Sequence, residues 1–179
     1  MIIGVKELLK LVNKDHLVSG LADRELKDPE GAGFDLRLGE VHKLVGSGYL
    51  GIIERKTPDA KLIYKYSSKK KQVFKLFPGQ QYLVSTIEEV SLPKSLTANF
   101  WLRSTLYRSG VILSGGNVAP GYTGKLSFTL FNSGKSKIEI ELGARIIHIL
   151  FYEVKGGGSL YRGQWKGGRV VARKKEKQV

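Results

Sequence analysis

The chain has 179 residues, a length that fits one domain, and about two-fifths of them are apolar, as in a globular protein with its own core. Its 30 Lys and Arg residues outnumber 16 Asp and Glu residues, so the net charge is +14 and an anionic partner is expected. The absence of cysteine excludes disulfides and thiolate metal sites. With no signal-peptide pattern and no apolar run of membrane-spanning length, we expect a cytoplasmic protein without a membrane partner.

Near the amino end, residues 5–12 place apolar side chains at helical spacing, which predicts one short amphipathic helix. Residues 23–33 are rich in turn formers, and no regular element is expected there. Residues 34–39 then alternate apolar and polar side chains, which predicts a half-buried strand. Asp35 is its only acid, and we expect it to cap or pin a neighbouring loop.

Short strand candidates separated by glycine and proline turns fill most of the remaining chain. They are residues 49–54, 60–66, 72–76, 81–90, 97–102, 125–132, 137–142 and 145–154. The last candidate is apolar almost throughout, so we expect it to be buried on both faces. One helix against many short strands predicts an all-β barrel or sandwich, formed by a single domain over residues 1–155.

The final segment, residues 156–179, is rich in glycine and basic residues and loses apolar periodicity. Tyr161 and Trp165 within it favour a flap that closes over a ligand, and a disordered end is the alternative. Two basic runs, 69–71 and 173–177, are expected to be a solvated loop and a frayed tail.

Polar chemistry is concentrated between residues 101 and 124. Arg103, Ser104, Thr105 and Arg108 supply guanidinium groups and hydroxyls, which suit phosphate oxygens because arginine gives charge-assisted, bidentate hydrogen bonds. The alternative for this stretch is an exposed turn with surface arginines.

Residues 115–124, with the sequence GGNVAPGYTG, are interpreted as the tip of a β-hairpin. Its glycines allow the backbone to approach a ligand closely, so that N–H and C=O groups read the edge of a base. Tyr122 is in a position to stack on a sugar. A tight turn closed by an aromatic ring is the alternative.

Seven segments resemble, in order, the motifs of the dCTP deaminase and dUTPase family. They are GAGFDLRLG (31–39), LFPGQQYLV (76–84), EVSLP (89–93), LRSTLYRSG (102–110), VAPGYTG (118–124), GARIIHILF (143–151) and YRGQWKG (161–167). Together they cover most of the chain, which is most similar to the short archaeal dCTP deaminases. The resemblance implies a distorted jelly-roll β-barrel that assembles as a homotrimer with active sites between subunits. It also implies dCTP or dUTP as ligand, Mg²⁺ held mainly by the triphosphate, and closure of residues 156–179 over the nucleotide.

The resemblance further implies a set of site residues. The triphosphate would be held by Arg103, Ser104, Thr105 and Arg108, of which Ser104 and Arg108 would also serve catalysis. The base and deoxyribose would contact Asn117, Val118, Ala119 and Tyr122. From the tail, the nucleotide would be covered by Tyr161, Gln164 and Lys166.

The chain departs from the family pattern at three positions of the barrel and also in the tail, where Gln164 and Gly168 stand in place of the Lys and Gln of bacterial deaminases. Thr129 stands where the deaminases carry a catalytic glutamate, and Ala119 where the dUTPases carry an aspartate that activates water. General acid–base help of this kind is worth about 10²–10⁴ in rate. His148 replaces a glutamine and is either a phosphate donor or a satisfied core histidine.

Three functions therefore stay open. The family reactions, deamination of dCTP and hydrolysis of dUTP to dUMP and pyrophosphate, are the first, with Ala119 being either an engineered change or the natural residue of an impaired homologue. A non-catalytic nucleotide sensor or protein-interaction module is the second. A basic nucleic-acid-binding β-barrel, suggested by the net charge of +14, is the third.

Overall fold

The computed structural model describes residues 1–172 and 175–177, which form three helices and fourteen strands. The helices are α1 (Val5–Asp15), α2 (Asp23–Lys27) and α3 (Ser104–Arg108). The strands are β1 (Val18–Ser19), β2 (Gly33–Val45), β3 (Tyr49–Leu50), β4 (Glu54–Lys56), β5 (Asp59–Lys65), β6 (Val73–Leu76), β7 (Gln81–Ser91), β8 (Leu96–Leu102), β9 (Val111–Ser114), β10 (Asn117–Val118), β11 (Thr123–Asn132), β12 (Ile138–Glu141), β13 (Arg145–Glu153) and β14 (Glu176–Lys177).

Nine strands form one curled sheet in the order β10-β8-β13-β2-β7-β11-β9, with β1 added to β7 and β5 added to β2. Strands β12 and β6 form a separate pair, and β14, β4 and β3 form a small third sheet. The register shifts within the β2–β7, β2–β13 and β7–β11 pairings, and such bulges increase the twist of a sheet. The sheet therefore wraps around a core, and the predicted all-β class is confirmed.

The core is built from the alternating side chains of the long strands. Phe34, Phe74, Phe128 and Phe151 are almost completely buried, and α1 covers the core with Leu8. Along β11 the pattern is regular, because even-numbered residues are buried and odd-numbered ones face the opposite side of the sheet. That opposite side carries the polar residues of the candidate site.

Two short helices occupy segments for which only turns were predicted. Helix α2 forms because Glu25 is fully buried and accepts a hydrogen bond from the backbone N–H of Asp35 at 3.0 Å. Helix α3 is anchored by buried Leu106 and followed by Gly110 at a φ of 85°. Helix α1 runs three residues past its predicted end, to Asp15, and His16 caps it in the left-handed conformation. No helix in the described residues is long and apolar enough to cross a membrane.

The predicted strands are present, with two differences in arrangement. The candidate 49–54 is divided into β3 and β4 by a bend at residues 51–53. Strand β13 is not buried on both faces, because Ile147, Ile149 and Phe151 are buried whereas alternate residues, such as Tyr152, are half-buried.

Residues 115–124 include the connection between the antiparallel strands β9 and β11, as the hairpin interpretation expects, but this connection is long and contains a short strand, β10. Strand β10 pairs with β8, whereas β11 pairs with β7 and β9. Gly115 and Gly116, at φ values of 136° and 128°, take the chain out of β9, and this conformation explains why glycine is needed there. We call residues 115–124 the cavity loop.

Candidate functional site

A cavity of about 420 Å³, here called the main cavity, lies between the cavity loop, the polar side of β11 and the carboxy-terminal segment. The predicted site residues that line it are Asn117, Val118, Ala119, Tyr122, Thr129 and Tyr161. Ser114 and Ser127 are two further lining residues that carry hydroxyl groups. The described lining residues include Arg169 but no Asp or Glu.

Ala119 and Thr129, the two positions at which the family pattern has acids, line the same cavity. Ala119 lies in a turn, where its carbonyl accepts a hydrogen bond from the N–H of Tyr122 at 3.1 Å. Thr129 lies in β11, opposite Leu83 in β7 and Ser114 in β9. The fold thus brings Ala119 and Thr129, ten positions apart in sequence, to one cavity. Their side chains offer a methyl group and a hydroxyl group where the family pattern has carboxylates.

Two tyrosines join the cavity loop to the carboxy-terminal segment. The rings of Tyr122 and Tyr161 meet edge to face with their centroids 5.5 Å apart. Tyr122 donates its hydroxyl hydrogen to the carbonyl of Lys125 at 2.5 Å, and burial raises its pKa to about 12. Tyr122 therefore stays protonated at neutral pH.

Residues 156–172, here called the tail segment, form one wall of the main cavity through Tyr161, Trp165, Arg169 and Val170. The N–H of Tyr161 donates to the carbonyl of Pro120 at 2.7 Å, and the N–H of Gly167 donates to the carbonyl of Thr123 at 2.7 Å. The described tail segment is therefore docked in the same chain. Of the basic run 173–177, residues 173 and 174 lie outside the described residues.

The predicted tail residues contribute unequally to the cavity. Gln164 does not line it, and its Oε1 accepts from Nε of Arg55 at 2.9 Å; Lys166 is exposed. Trp165 and Arg169 line the cavity instead, and they were missing from the predicted site. The aromatic residue in a glycine-rich segment was a usable signal for Trp165, whereas nothing in the sequence marked Arg169.

Replacing Gly124 by alanine is expected to release the tail segment. A Cβ atom at this position would lie 2.2 Å from the backbone nitrogen of Gly168, and Gly124 has a φ of 127°. In the docked state, the clash and the strained φ of the new alanine cost about 1–3 kcal/mol, and release of the tail segment relieves this cost. Trypsin should therefore cleave after Arg162 about tenfold faster in the variant. Gly167→Ala is the matched control, since Gly167 also has a positive φ but no atom lies within 4 Å of its added Cβ. Equal cleavage rates in both variants would contradict the clash.

A second pocket of about 350 Å³, here called the arginine pocket, lies at the start of α3. It is lined by Glu30, Gly31, Asp35, Leu102, Arg103, Ser104, Tyr107 and His148. Arg103 forms an ion pair with Asp35, so its guanidinium is already held by a carboxylate of the same chain.

Asp35 is buried in β2 and is surrounded by cationic and histidine side chains. Arg103 pairs with it, Nη1 of Arg145 donates to its Oδ2 at 2.9 Å, and Nδ1 of His148 lies 2.9 Å from its Oδ1. The prediction that Asp35 pins a loop agrees with its ion pair to Arg103, which lies between β8 and α3, whereas its other two partners, Arg145 and His148, belong to the adjacent strand β13. Burial lowers the pKa of His148, which is half-buried in the pocket rather than in the core.

The predicted triphosphate residues do not reach the main cavity within one chain. Arg103 and Ser104 line the arginine pocket, while Thr105 and Arg108 are exposed on α3. An apolar groove of about 800 Å³ connects the two sites, because it shares Asn117 and its neighbours with the main cavity and Leu102 and Tyr107 with the arginine pocket.

Comparison with known proteins identifies the class to which this fold and site belong. A family model described as dCTP deaminase-like matches residues 2–154. The chain is 31% identical over 166 residues to a probable deoxyuridine 5′-triphosphate nucleotidohydrolase of Methanothermobacter thermautotrophicus, covering 93% of this chain and 99% of that protein. It is 32% identical over 178 residues to a dCTP deaminase, dUMP-forming, of Dictyoglomus turgidum, covering 92% and 91%.

Among solved structures, 2′-deoxycytidine 5′-triphosphate deaminase from Agrobacterium tumefaciens matches with a TM-score of 0.62 and 21% sequence identity. The match covers 84% of this chain and 47% of that one, so the chain spans about half of the matched structure. The predicted dUTPase-like fold is thereby confirmed. The chain belongs to the dCTP deaminase-like family, whose named members are nucleotide-processing enzymes.

Proposed function

We propose that this protein binds a deoxypyrimidine triphosphate, dCTP or dUTP, with the base and deoxyribose in the main cavity. The observation that carries the proposal is the composition of that cavity: backbone groups of the cavity loop, three hydroxyl-bearing strand residues and two packed tyrosines surround about 420 Å³. Small-molecule sites typically have volumes of about 300–1,000 Å³ and few polar groups in an otherwise apolar wall. The cavity therefore suits a pyrimidine nucleoside.

The same proposal places the triphosphate on Arg103, Ser104, Thr105 and Arg108 of a neighbouring subunit in a homotrimer. Support comes from the apolar groove, where Trp101, Tyr107 and Ile112 have exposed fractions of 51%, 55% and 53%. Large apolar side chains exposed side by side are typical of surfaces that another chain covers. A second copy seated on the groove would bring its α3 towards the main cavity.

Mg²⁺ would enter with the nucleotide in this proposal. The ion prefers oxygen ligands, and the triphosphate supplies them together with water. The described residues contain no group of three or more His, Asp or Glu side chains that could hold a metal ion by themselves. The contribution expected of the chain is to hold the phosphate oxygens through arginine and hydroxyl groups.

Turnover is the part of the family activity that we propose to be weak. The described lining of the main cavity contains no carboxylate, and the acid positions carry Ala119 and Thr129. Loss of general acid–base help lowers a rate by about 10²–10⁴. This observation favours the second candidate function, a nucleotide sensor that binds dCTP or dUTP without converting it.

Saturating dCTP or dUTP with Mg²⁺ is expected to raise the melting temperature by about 5–10 °C at a hundredfold excess over Kd. Arg108→Ala should weaken binding about tenfold or more, because a charged hydrogen bond to phosphate is lost. Lys69→Ala is the matched control, because Lys69 is exposed and lines neither the main cavity nor the arginine pocket. If neither nucleotide shifts the melting temperature, the proposal is refuted. The alternative, a basic surface that binds nucleic acid, predicts DNA or RNA binding that weakens steeply with salt. Ammonia and pyrophosphate, measured separately, distinguish enzyme from sensor.

A further inference from the structure

Strand β4 is the middle strand of the small sheet that includes the last described residues of the chain. On one side it pairs with β3, where Leu50 lies opposite Arg55. On the other side it pairs with β14, where Glu176 lies opposite Arg55. This sheet is separate from the nine-stranded sheet, so the β3–β4 hairpin binds the carboxy-terminal end by main-chain hydrogen bonds of its own. We call residues 49–58 the clasp.

Side chains of the clasp hold the tail segment at two points. Nε of Arg55 donates to Oε1 of Gln164 at 2.9 Å. The N–H of fully buried Ala172 donates to Oγ1 of Thr57 at 3.4 Å. These two anchors flank residues 165–170, which include three of the residues that line the main cavity. The clasp therefore fixes both ends of this part of the cavity wall.

The clasp also controls the position of a cation in that wall. Among the described residues that line the main cavity, Arg169 is the one with a charged side chain. Its guanidinium forms an ion pair with Glu176, and its Nε donates to the carbonyl of Val171 at 2.8 Å. Glu176 lies in β14 and is held there by the pairing of β14 with β4. The position of Arg169 thus depends on the clasp through Glu176.

The side-chain contacts of the clasp differ in strength. Nζ of Lys175 lies 3.2 Å from Oε2 of Glu54 and 5.2 Å from the centre of the Tyr49 ring. The side chains of Lys175 and Glu54 are 60% and 49% exposed, and ion pairs in water contribute little to stability. Arg55 is half-buried, and its hydrogen bond has a charged donor, which makes it stronger than a neutral one. Arg55 is therefore the side chain on which the clasp depends most.

We infer that the clasp holds the tail segment in the wall of the main cavity, and that Arg55 is a positioning residue for nucleotide binding. Arg55 lies outside the described lining of the cavity, so it acts through Gln164 and β14. The inference rests on the proposed function and deepens it. If the nucleotide binds only when the tail segment is docked, its apparent affinity falls with the docked fraction of the protein.

Trypsin cleavage after Arg162 in the unliganded full chain tests the clasp itself. Arg55→Ala is expected to raise the cleavage rate about tenfold, because loss of a charged hydrogen bond raises the fraction of protein with an undocked tail. Lys137→Ala is the matched control: it removes another basic residue, which pairs with Glu139 at 2.7 Å and lines neither the main cavity nor the arginine pocket. Equal rates in these two variants would overturn the inference.

Gln164→Ala removes the same hydrogen bond from the side of the tail. It should raise cleavage as Arg55→Ala does, and the double variant should be no faster than either single variant, because residues that share one interaction are not additive. A double variant whose increase is the product of the two single increases would show that the two side chains act independently. The direct role of Arg55 in positioning the tail would then be wrong.

Nucleotide protection links the clasp to the site. In the unmodified chain, dCTP or dUTP at a hundredfold excess over Kd, as measured by calorimetric titration, should slow cleavage about a hundredfold, because only nucleotide-free protein then undocks its tail. If the nucleotide binds without slowing cleavage, the clasp does not serve the site and the inference is overturned. If neither nucleotide binds, the proposed function fails, whereas the rates of Arg55→Ala and Lys137→Ala still decide whether the clasp holds the tail segment.

Discussion

Ala119→Asp combined with Thr129→Glu is expected to raise the turnover of dCTP or dUTP by about 10²–10⁴. Both positions line the main cavity, so both new carboxylates would reach the same bound nucleotide. The physical reason is proton transfer, since neither a methyl group nor a threonine hydroxyl accepts a proton from water at neutral pH. Ammonia and pyrophosphate release measured separately will assign the gain, with ammonia reporting deamination and pyrophosphate reporting hydrolysis.

The matched control is the amide pair Ala119→Asn and Thr129→Gln. These side chains occupy almost the same volume and form hydrogen bonds, but they do not accept protons as carboxylates do. The prediction requires the acid pair to be faster than the amide pair at equal nucleotide saturation. If both pairs bind nucleotide and release neither product, the family reactions do not belong to this cavity.

Asp35→Asn is expected to lower the free energy of unfolding by about 3 kcal/mol. Asp35 is 1% exposed, and its removal leaves the charges of Arg103 and Arg145 without their shared partner. The side chains of these arginines are 31% and 35% exposed, so water compensates in part and the lower end of the range for broken buried ion pairs applies.

Urea unfolding of the unliganded protein measures this effect. Asp59→Asn removes an exposed carboxylate and should change the free energy of unfolding by less than about 0.5 kcal/mol. If Asp35→Asn lowers the free energy of unfolding by no more than Asp59→Asn does, the ion pairs of Asp35 only offset the cost of burying its carboxylate.

The sequence predicted the features that depend on local pattern. Alternation along residues 125–132 predicted β11 and its buried face, and glycine-rich punctuation predicted the cavity loop that carries Ala119. Helix α2 was not predictable, because Glu25 folds against a backbone group ten residues away. The same reason applies to Asp35, whose partners lie more than sixty positions along the chain and come together only when β13 pairs with β2.

The candidate site was predictable as a set of residues but not as an arrangement. The motif order predicted both the arginine stretch and the cavity loop, yet within one chain they line two separate pockets joined by an apolar groove. The hydrogen bond between Arg55 and Gln164 joins residues 109 positions apart, which no local pattern specifies. Tertiary pairing, and not residue type, places these groups.

The position of the tail segment has a consequence for the order of events during synthesis. A ribosome releases the residues of β2, β7, β11 and β13 before it releases Tyr161, Trp165 and Arg169, and protein chains begin to fold from the amino end. The barrel core is therefore complete before the last wall of the main cavity exists. A nascent chain released only as far as β13 lacks the cavity wall that Tyr161, Trp165 and Arg169 form, so nucleotide binding would report whether the tail segment has been made.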